Sequence, residues 1–380
     1  MWFAVVAAGP LGVIAVRLVD GLPALLFGLH GGVVADRWDR RRTMIAADLI
    51  RGSVLVPIAA AGIAGALPLA ALIGAAFVVT TAASYFGPAF GAFLPSIVRR
   101  SEVQRANGLV SAANAGLATA GWAAAAALLG VVSVGTFFAL NAASFFVSAA
   151  LVSRIRQPAV APERDESRSP SLRHGFAGLR VRTGLPVAVG MLGAGMCVMT
   201  GVWTVGIADL AHSTLGHGAA GLALLLTATA LGTISAATLL TRRQVRRKVF
   251  GSCLAWMLVA PGYVLLAFAD SLPPALAGTF LVGAGSSAAV LLVTTATQES
   301  LPDDVLGRAL GIVFVGHVGA KPIGLVTIAP LYVFLDPTTV FLAGRGRTAR
   351  ARSHRCRAGR RRDTPEARTR HRSLSARMDA

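Results

Sequence analysis

The chain has 380 residues, of which 54% are hydrophobic and 14% charged, with a mean hydropathy of +0.66. A water-soluble globule of this length needs far more polar surface, so a soluble domain is excluded. The net charge of +19 divides unevenly: residues 345–380 hold 13 Arg and three acids, and the rest carries a net +9. Positive membrane-flanking loops explain that excess, so no nucleic-acid partner is implied.

A helix needs about 20 apolar residues to cross the hydrocarbon core of a bilayer. Runs of that size occur near 11–35, 43–63, 68–94, 107–131, 134–153, 185–208, 218–241, 249–269, 272–297 and 309–335. Barrel strands would be half as long and would alternate in polarity, which leaves a helical bundle. The stretch 154–184 differs from all of these. It contains Pro158, Pro162 and Pro170, mixed charge and three serines, and reads as a linker between an N-terminal bundle (1–153) and a C-terminal bundle (185–344).

Basic residues mark every second connection. Clusters lie at Arg37 to Arg42, Arg99 to Arg105, Arg154 to Arg182 and Arg242 to Lys248, with the single Arg308; the intervening connections have no Lys or Arg. Cationic loops resist translocation, so these ends and the linker 154–184 are expected in the cytoplasm of a bacterial inner-membrane protein. No signal peptide is read, and Cys197, Cys253 and Cys356 have no spacing for zinc or a disulfide framework.

An internal repeat accompanies this topology. Arg105-Ala106-Asn107-Gly108-Leu109-Val110 recurs as Arg308-Ala309-Leu310-Gly311-Ile312-Val313, 203 residues later. The basic loop beginning at Asp36 has its counterpart beginning at Arg242, 206 residues later. Two unrelated landmarks with nearly one offset indicate two parallel bundles, an arrangement suited to rocking about a central cavity.

The most specific string is Gly32-Val33-Val34-Ala35-Asp36-Arg37-Trp38-Asp39-Arg40-Arg41-Arg42. Gly32 permits close helix approach, and a carboxylate at Asp36 suits a neighbouring helix N-terminus, where the dipole and free N–H groups favour it. Arg37, Arg40 and Arg41 follow at headgroup depth, where they can pair with acids on the opposing half. Gly32, Asp36, Arg37, Arg40 and Arg41 therefore form a candidate gate latch. A plain orientation-setting loop would not need this order.

This string resembles the loop between helices 2 and 3 of the major facilitator superfamily, and most closely its enterobactin exporters and macrolide efflux proteins. Supporting matches are Asp48-Leu49-Ile50-Arg51, Phe86-Gly87-Pro88-Ala89 with Leu94-Pro95, Arg105-Ala106-Asn107-Gly108, Asn141-Ala142-Ala143-Ser144-Phe145, and Pro302-Asp303-Asp304 leading to Gly307-Arg308. The resemblance runs from about residue 8 to 344. It implies an all-α membrane bundle of two six-helix halves, usually an exporter driven by proton entry. Here about ten spans are complete, with helix 1 truncated and helix 12 missing. One departure is that Gly116 is followed by Gly121-Trp122, where the fifth helix of family antiporters commonly carries Gly-Pro.

Charged groups inside the runs are the remaining candidates, because intramembrane ionisable residues usually face a cavity or a partner. Arg17 and Asp20 share a helical face, as do Asp48 and Arg51 one span later. His317 and Lys321 lie four residues apart in the last run. Each pair is a candidate proton or substrate site, set against the reading of self-satisfied structural pairs. His30, beside Gly31, is expected to be packed or interfacial.

Met1 to Ala8 reads as the end of an apolar helix. After Gly344 the composition turns abruptly to Arg, Ala, Ser and Thr, so 345–380 is expected to be a disordered tail arising from a frame change. No catalytic, phosphate-binding or metal-ligand constellation competes, so an enzyme is not expected and no cofactor is assigned. The expected function is proton-coupled efflux of a small amphipathic molecule, drug or siderophore-like. Its partners are the bilayer, that molecule and protons, and a monomer is expected. The competing class is a degenerate, non-transporting membrane protein or partner-binding scaffold.

Overall fold

A computed structural model describes residues 21–128, 131–155, 172–180, 183–211, 215 and 218–328, all of them helix or short connection. The helices are α1 (21–37), α2 (Arg40–Ile63), α3 (Leu69–Ile97), α4 (Val103–Leu128), α5 (Val134–Arg154) and α6 (Leu172–Arg180). They continue as α7 (Leu185–Asp209), α8 (Gly218–Arg242), α9 (Lys248–Ala267), α10 (Leu272–Ser300), α11 (Asp303–Phe314) and α12 (Ala320–Ile328). A π-helical turn, Val315–Gly319, joins α11 to α12 in one continuous span. In their described parts, all ten apolar runs of the sequence lie on helices. Seven described helices are long and apolar enough to cross a membrane. Arg17 and Asp20, the N-terminal end and the tail lie outside the described residues.

Local chemistry sets the helix boundaries. Only Trp38 and Asp39 separate α1 from α2, and Asp39 caps α2 by accepting a hydrogen bond from the Arg42 N–H at 2.7 Å. Ser133 caps α5 in the same way through the Thr136 N–H. Proline in the first turn opens α7 and α10, where its missing N–H costs nothing. Gly184 precedes α7 with φ +86°, a left-handed conformation that glycine adopts without strain. Within the spans, Ser286, Thr295 and Thr297 return their hydroxyls to carbonyls four residues back, which satisfies them without water.

In lipid, burying an apolar side chain gains little, so helix association rests on close packing of small residues. The contacts show this directly. Gly62 meets Gly135 between α2 and α5, Gly262 meets Gly278 between α9 and α10, and Gly324 meets Cys197 between α12 and α7. Outward faces carry large apolar residues, among them Leu117 at 72% exposure and Met257 at 68%, which suits a surface solvated by acyl chains. One buried cluster joins α1, α2, α3 and α5 around Met44, Ala89 and Phe93. A larger one joins α6, α7, α10, α11 and α12.

Two features were not read from the sequence. The linker 154–184 contains a helix, α6, whose Gly175 and Gly178 lie against Arg308 and Val305 of α11. In addition, α4 packs chiefly on α8 and α10 rather than on its sequence neighbours.

Candidate functional site

The seam between the first five helices and the last six is centred on two helix pairs, α1 with α11–α12 and α4 with α8, and α3 also packs on α11 and α4 on α10. The internal repeat relates α1 to α8 and α4 to α11, so it exchanges the two pairs.

Along α1 one stripe faces the seam. Gly21 abuts Pro322, Leu25 abuts Gly319, Gly28 meets Val315 and Phe314, and Gly32 meets Gly307 and Gly311. A Cβ at Gly32 would stand 2.7 Å from the Gly307 carbonyl oxygen, so only glycine allows this approach. One turn further, Asp36 reaches α11. Its carboxylate accepts hydrogen bonds from the Gly307 N–H, from the Arg308 N–H at 3.0 Å and from Arg308 Nε at 2.8 Å. Asp36 and Arg308 side chains are 2% and 10% exposed, so this ion pair is shielded from water and salt.

The carbonyls four residues before those two N–H groups belong to Asp303 and Asp304. Each accepts a guanidinium N–H: Arg40 Nη2 donates to Asp303 O at 2.8 Å, and Arg308 Nη2 to Asp304 O at 2.8 Å. Asp36 and Arg40 thus address both the donors and the acceptors of the first turns of α11. Arg40 also donates to Ala92 O on α3 at 2.9 Å. Its ion pair with Asp303 is long, 4.0 Å, and Asp303 is 52% exposed, so that contact contributes little beside the hydrogen bonds.

The arginines of the motif have separate tasks. Arg40 crosses to the other half. Arg41 donates to Val152 O on α5 at 3.0 Å, within its own half. Arg37 is exposed and lines an outer groove between α1, α2 and α3.

The α4–α8 pair closes the same end without an ion pair. Gln104, fully buried, donates to Leu240 O and Arg243 O at 2.8 Å each and accepts from the Val245 N–H at 3.0 Å. Asn107 donates to Thr295 Oγ1 and Gln298 Oε1 on α10, and Gln298 donates to Gly91 O on α3. Gln104 and Gln298 escaped the sequence reading because a lone glutamine carries no motif. Asn107 lay in a quoted string whose role was not assigned.

Above this closure lies a cavity of about 730 Å³. Its polar lining includes Asn107, Asn114, Thr233, Ser287, His317 and Lys321, from α4, α8, α10 and the α11–α12 span. His317 sits in the π turn, a form frequent at functional sites. Lys321 also lines a second cavity of about 290 Å³ between α1, α3, α7 and α12. The structure therefore brings His317 and Lys321 to one chamber.

Asp48 and Arg51 are placed elsewhere. They pair at 3.0 Å inside the first half, where Ser148 donates to Asp48 at 2.6 Å and the Arg51 guanidinium lies over Phe86 and Phe145. Neither lines the central cavity. Among the described residues, no three His, Cys, Asp or Glu side chains converge to hold a metal.

A sequence profile described as the Major Facilitator Superfamily matches residues 11–324. The chain belongs to that family. An uncharacterized MFS-type transporter of Mycobacterium tuberculosis is 27% identical over 372 residues, covering 89% of this chain and 82% of its own length. Macrolide efflux protein A of Enterococcus faecalis is 28% identical over 180 residues, which is 46% of this chain and 54% of that protein. The crystal structure of the human organic anion transporter MFSD10 superposes with a TM-score of 0.72 at 16% identity, covering 90% of this chain and 85% of that one. That likeness shows the shared fold. As a family member, the chain is a multi-pass membrane transporter.

Proposed function

We propose that this facilitator moves a small amphipathic molecule out of a bacterial cell, exchanging it for protons by rocking its two halves about the central cavity. The observation that carries the reading is the closure of the basic end by side-chain hydrogen bonds directly beneath a polar chamber. Such contacts can break and re-form within a transport cycle, whereas a continuous apolar core could not. The basic loops support a cytoplasmic position for this closed end, with 154–184 as the cytoplasmic linker between bundles 1–153 and 185–344. The chamber then faces the external side in this state.

Export is supported by the partial likeness to a macrolide efflux protein. Proton coupling is assigned to the intramembrane charges: His317 and Lys321 in the chamber, and Arg17 with Asp20 in the first apolar run. A drug or siderophore-like substrate suits a chamber that mixes Met196, Met199 and Phe90 with amides and hydroxyls.

The experiment is substrate-dependent proton movement in proteoliposomes carrying a pH-sensitive dye. A macrolide and a catecholate are supplied in parallel. With the dye inside and substrate added outside, protein-dependent alkalinisation of the lumen supports proton exchange, and acidification contradicts it. Substrate movement that ignores an imposed pH gradient contradicts the coupling. No movement of any compound favours the non-transporting scaffold.

A further inference from the structure

One groove shares no lining residue with the central cavity. It has a volume of about 800 Å³ and lies between α1, α2 and α3 at the basic end. On α1 it is lined by His30, Val34 and Arg37, a stripe at helical spacing, with Trp38 just beyond the helix. This stripe is offset by two residues, about 200°, from the Gly28–Gly32–Asp36 stripe that faces α11. The groove therefore opens away from the seam, toward the lipid around the bundle.

Its chemistry changes along its length. At the loop end, Arg37 and Arg42 are both exposed beside Trp38, itself 66% exposed. Neither guanidinium has a hydrogen-bond or ion-pair partner among the described residues. Deeper in, Ala46, Ala47 and Ile50 of α2 and Ala82 of α3 make an apolar channel, with Ile50 49% exposed. Within the same groove His30 Nδ1 and Tyr85 Oη share a hydrogen bond at 3.0 Å. A polar pair on a lipid-facing surface is costly unless something polar meets it.

We propose that this groove binds one anionic phospholipid. The phosphate lies between Arg37 and Arg42, the ester oxygens meet His30 and Tyr85, and one acyl chain follows Ala46, Ile50 and Ala82. Basic pockets between spanning helices on the cytoplasmic side bind anionic headgroups in this manner. Exposed cations, a polar pair and an apolar channel in one groove match the phosphate, ester and acyl chain of a phospholipid. A free phosphate would leave the channel and the polar pair without a role.

Native mass spectrometry of the full chain tests this, after exchange into nanodiscs of phosphatidylcholine with or without phosphatidylglycerol. The wild type is expected to retain one phosphatidylglycerol, preferred over phosphatidylcholine by about tenfold. Arg37→Ala with Arg42→Ala should abolish that preference. Arg99→Ala with Arg100→Ala, exposed at the same end but outside the groove, should keep it. Ile50→Trp fills the channel and should expel the lipid with both arginines intact, which covers the case of a double variant that fails to fold. Equal retention of the two lipids by the wild type overturns the proposal. So does loss caused equally by the Arg99 and Arg100 changes, or a dimer that lipid does not displace and that the Arg37 and Arg42 changes dissolve.

Discussion

Asp36 and Arg308 hold each other through both backbone and side chain: one carboxylate oxygen accepts the Arg308 N–H at 3.0 Å and its Nε at 2.8 Å. Gly307 donates to the other oxygen. Hydrogen bonds to a charged group are worth about 1.5–3 kcal/mol each. Asp36→Asn keeps the shape and removes the charge. It should preserve insertion, raise the accessibility of the cytoplasmic seam to a thiol reagent, and lower transport by about tenfold or more. Transport equal to wild type at equal membrane abundance would sink the latch.

Glycines along the chain should divide into two classes. Gly32→Val places a side chain against the Gly307 carbonyl, so α1 must move off α11 and transport should be lost. Among the described residues, nothing lies within 4 Å of a Cβ added at Gly116 or Gly121. Replacing either by Ala should leave transport intact and stabilise α4 by about 0.5–1 kcal/mol, since glycine is a poor helix former. Thermal melts with parallel transport assays check both classes, and an inactive Gly116→Ala would contradict the open surroundings assigned to it.

Much of this arrangement was legible in the sequence. Apolar runs of membrane length are hard to mistake, because a bilayer admits few alternatives to a helix. The Gly32 to Arg42 string pointed to a neighbouring helix N-terminus, and Asp36 accepts from the N–H groups of Gly307 and Arg308, the fifth and sixth residues of α11. The partners were harder to read. Nothing local to Arg308 says that its backbone N–H meets a residue 272 positions earlier, and Gln104 belongs to no charge pattern. Asp48 and Arg51 stood out because charge within an apolar run is conspicuous, and Ser148 and two aromatic rings surround the pair within the first half. The short helix α6 was hidden by the proline- and serine-rich stretch that precedes it.

Asp48 should therefore act on folding rather than on substrate. Asp48→Ala strands Arg51 in a buried site, a change that costs about 3–5 kcal/mol. Lower melting temperature and lower membrane abundance are expected, with an unchanged half-saturating substrate concentration in the protein that remains. A selective change in substrate affinity at full stability would reverse this assignment.

The neutral closure should be weaker than the ionic one. Gln104→Leu leaves Leu240 O, Arg243 O and the Val245 N–H without their side-chain partner, a penalty of about 1–3 kcal/mol. Transport should fall less than with Asp36→Asn, and combining the two changes should be worse than either. If Gln104→Leu alone matches the Asp36 loss, the α4–α8 pair is the principal closure instead.

In the proposed rocking cycle the ends of α4 and α8 beside the basic loops must separate and return. Spin labels on Arg99→Cys and Arg246→Cys, both exposed there, report this by pulsed electron spin resonance in nanodiscs once Cys197, Cys253 and Cys356 are replaced. Two interconverting distances are predicted, a short one dominant in the wild type and a long one enriched by Asp36→Asn. A single distance, unmoved by Asp36→Asn, by substrate or by a proton gradient, would contradict a rocking transporter latched at Asp36.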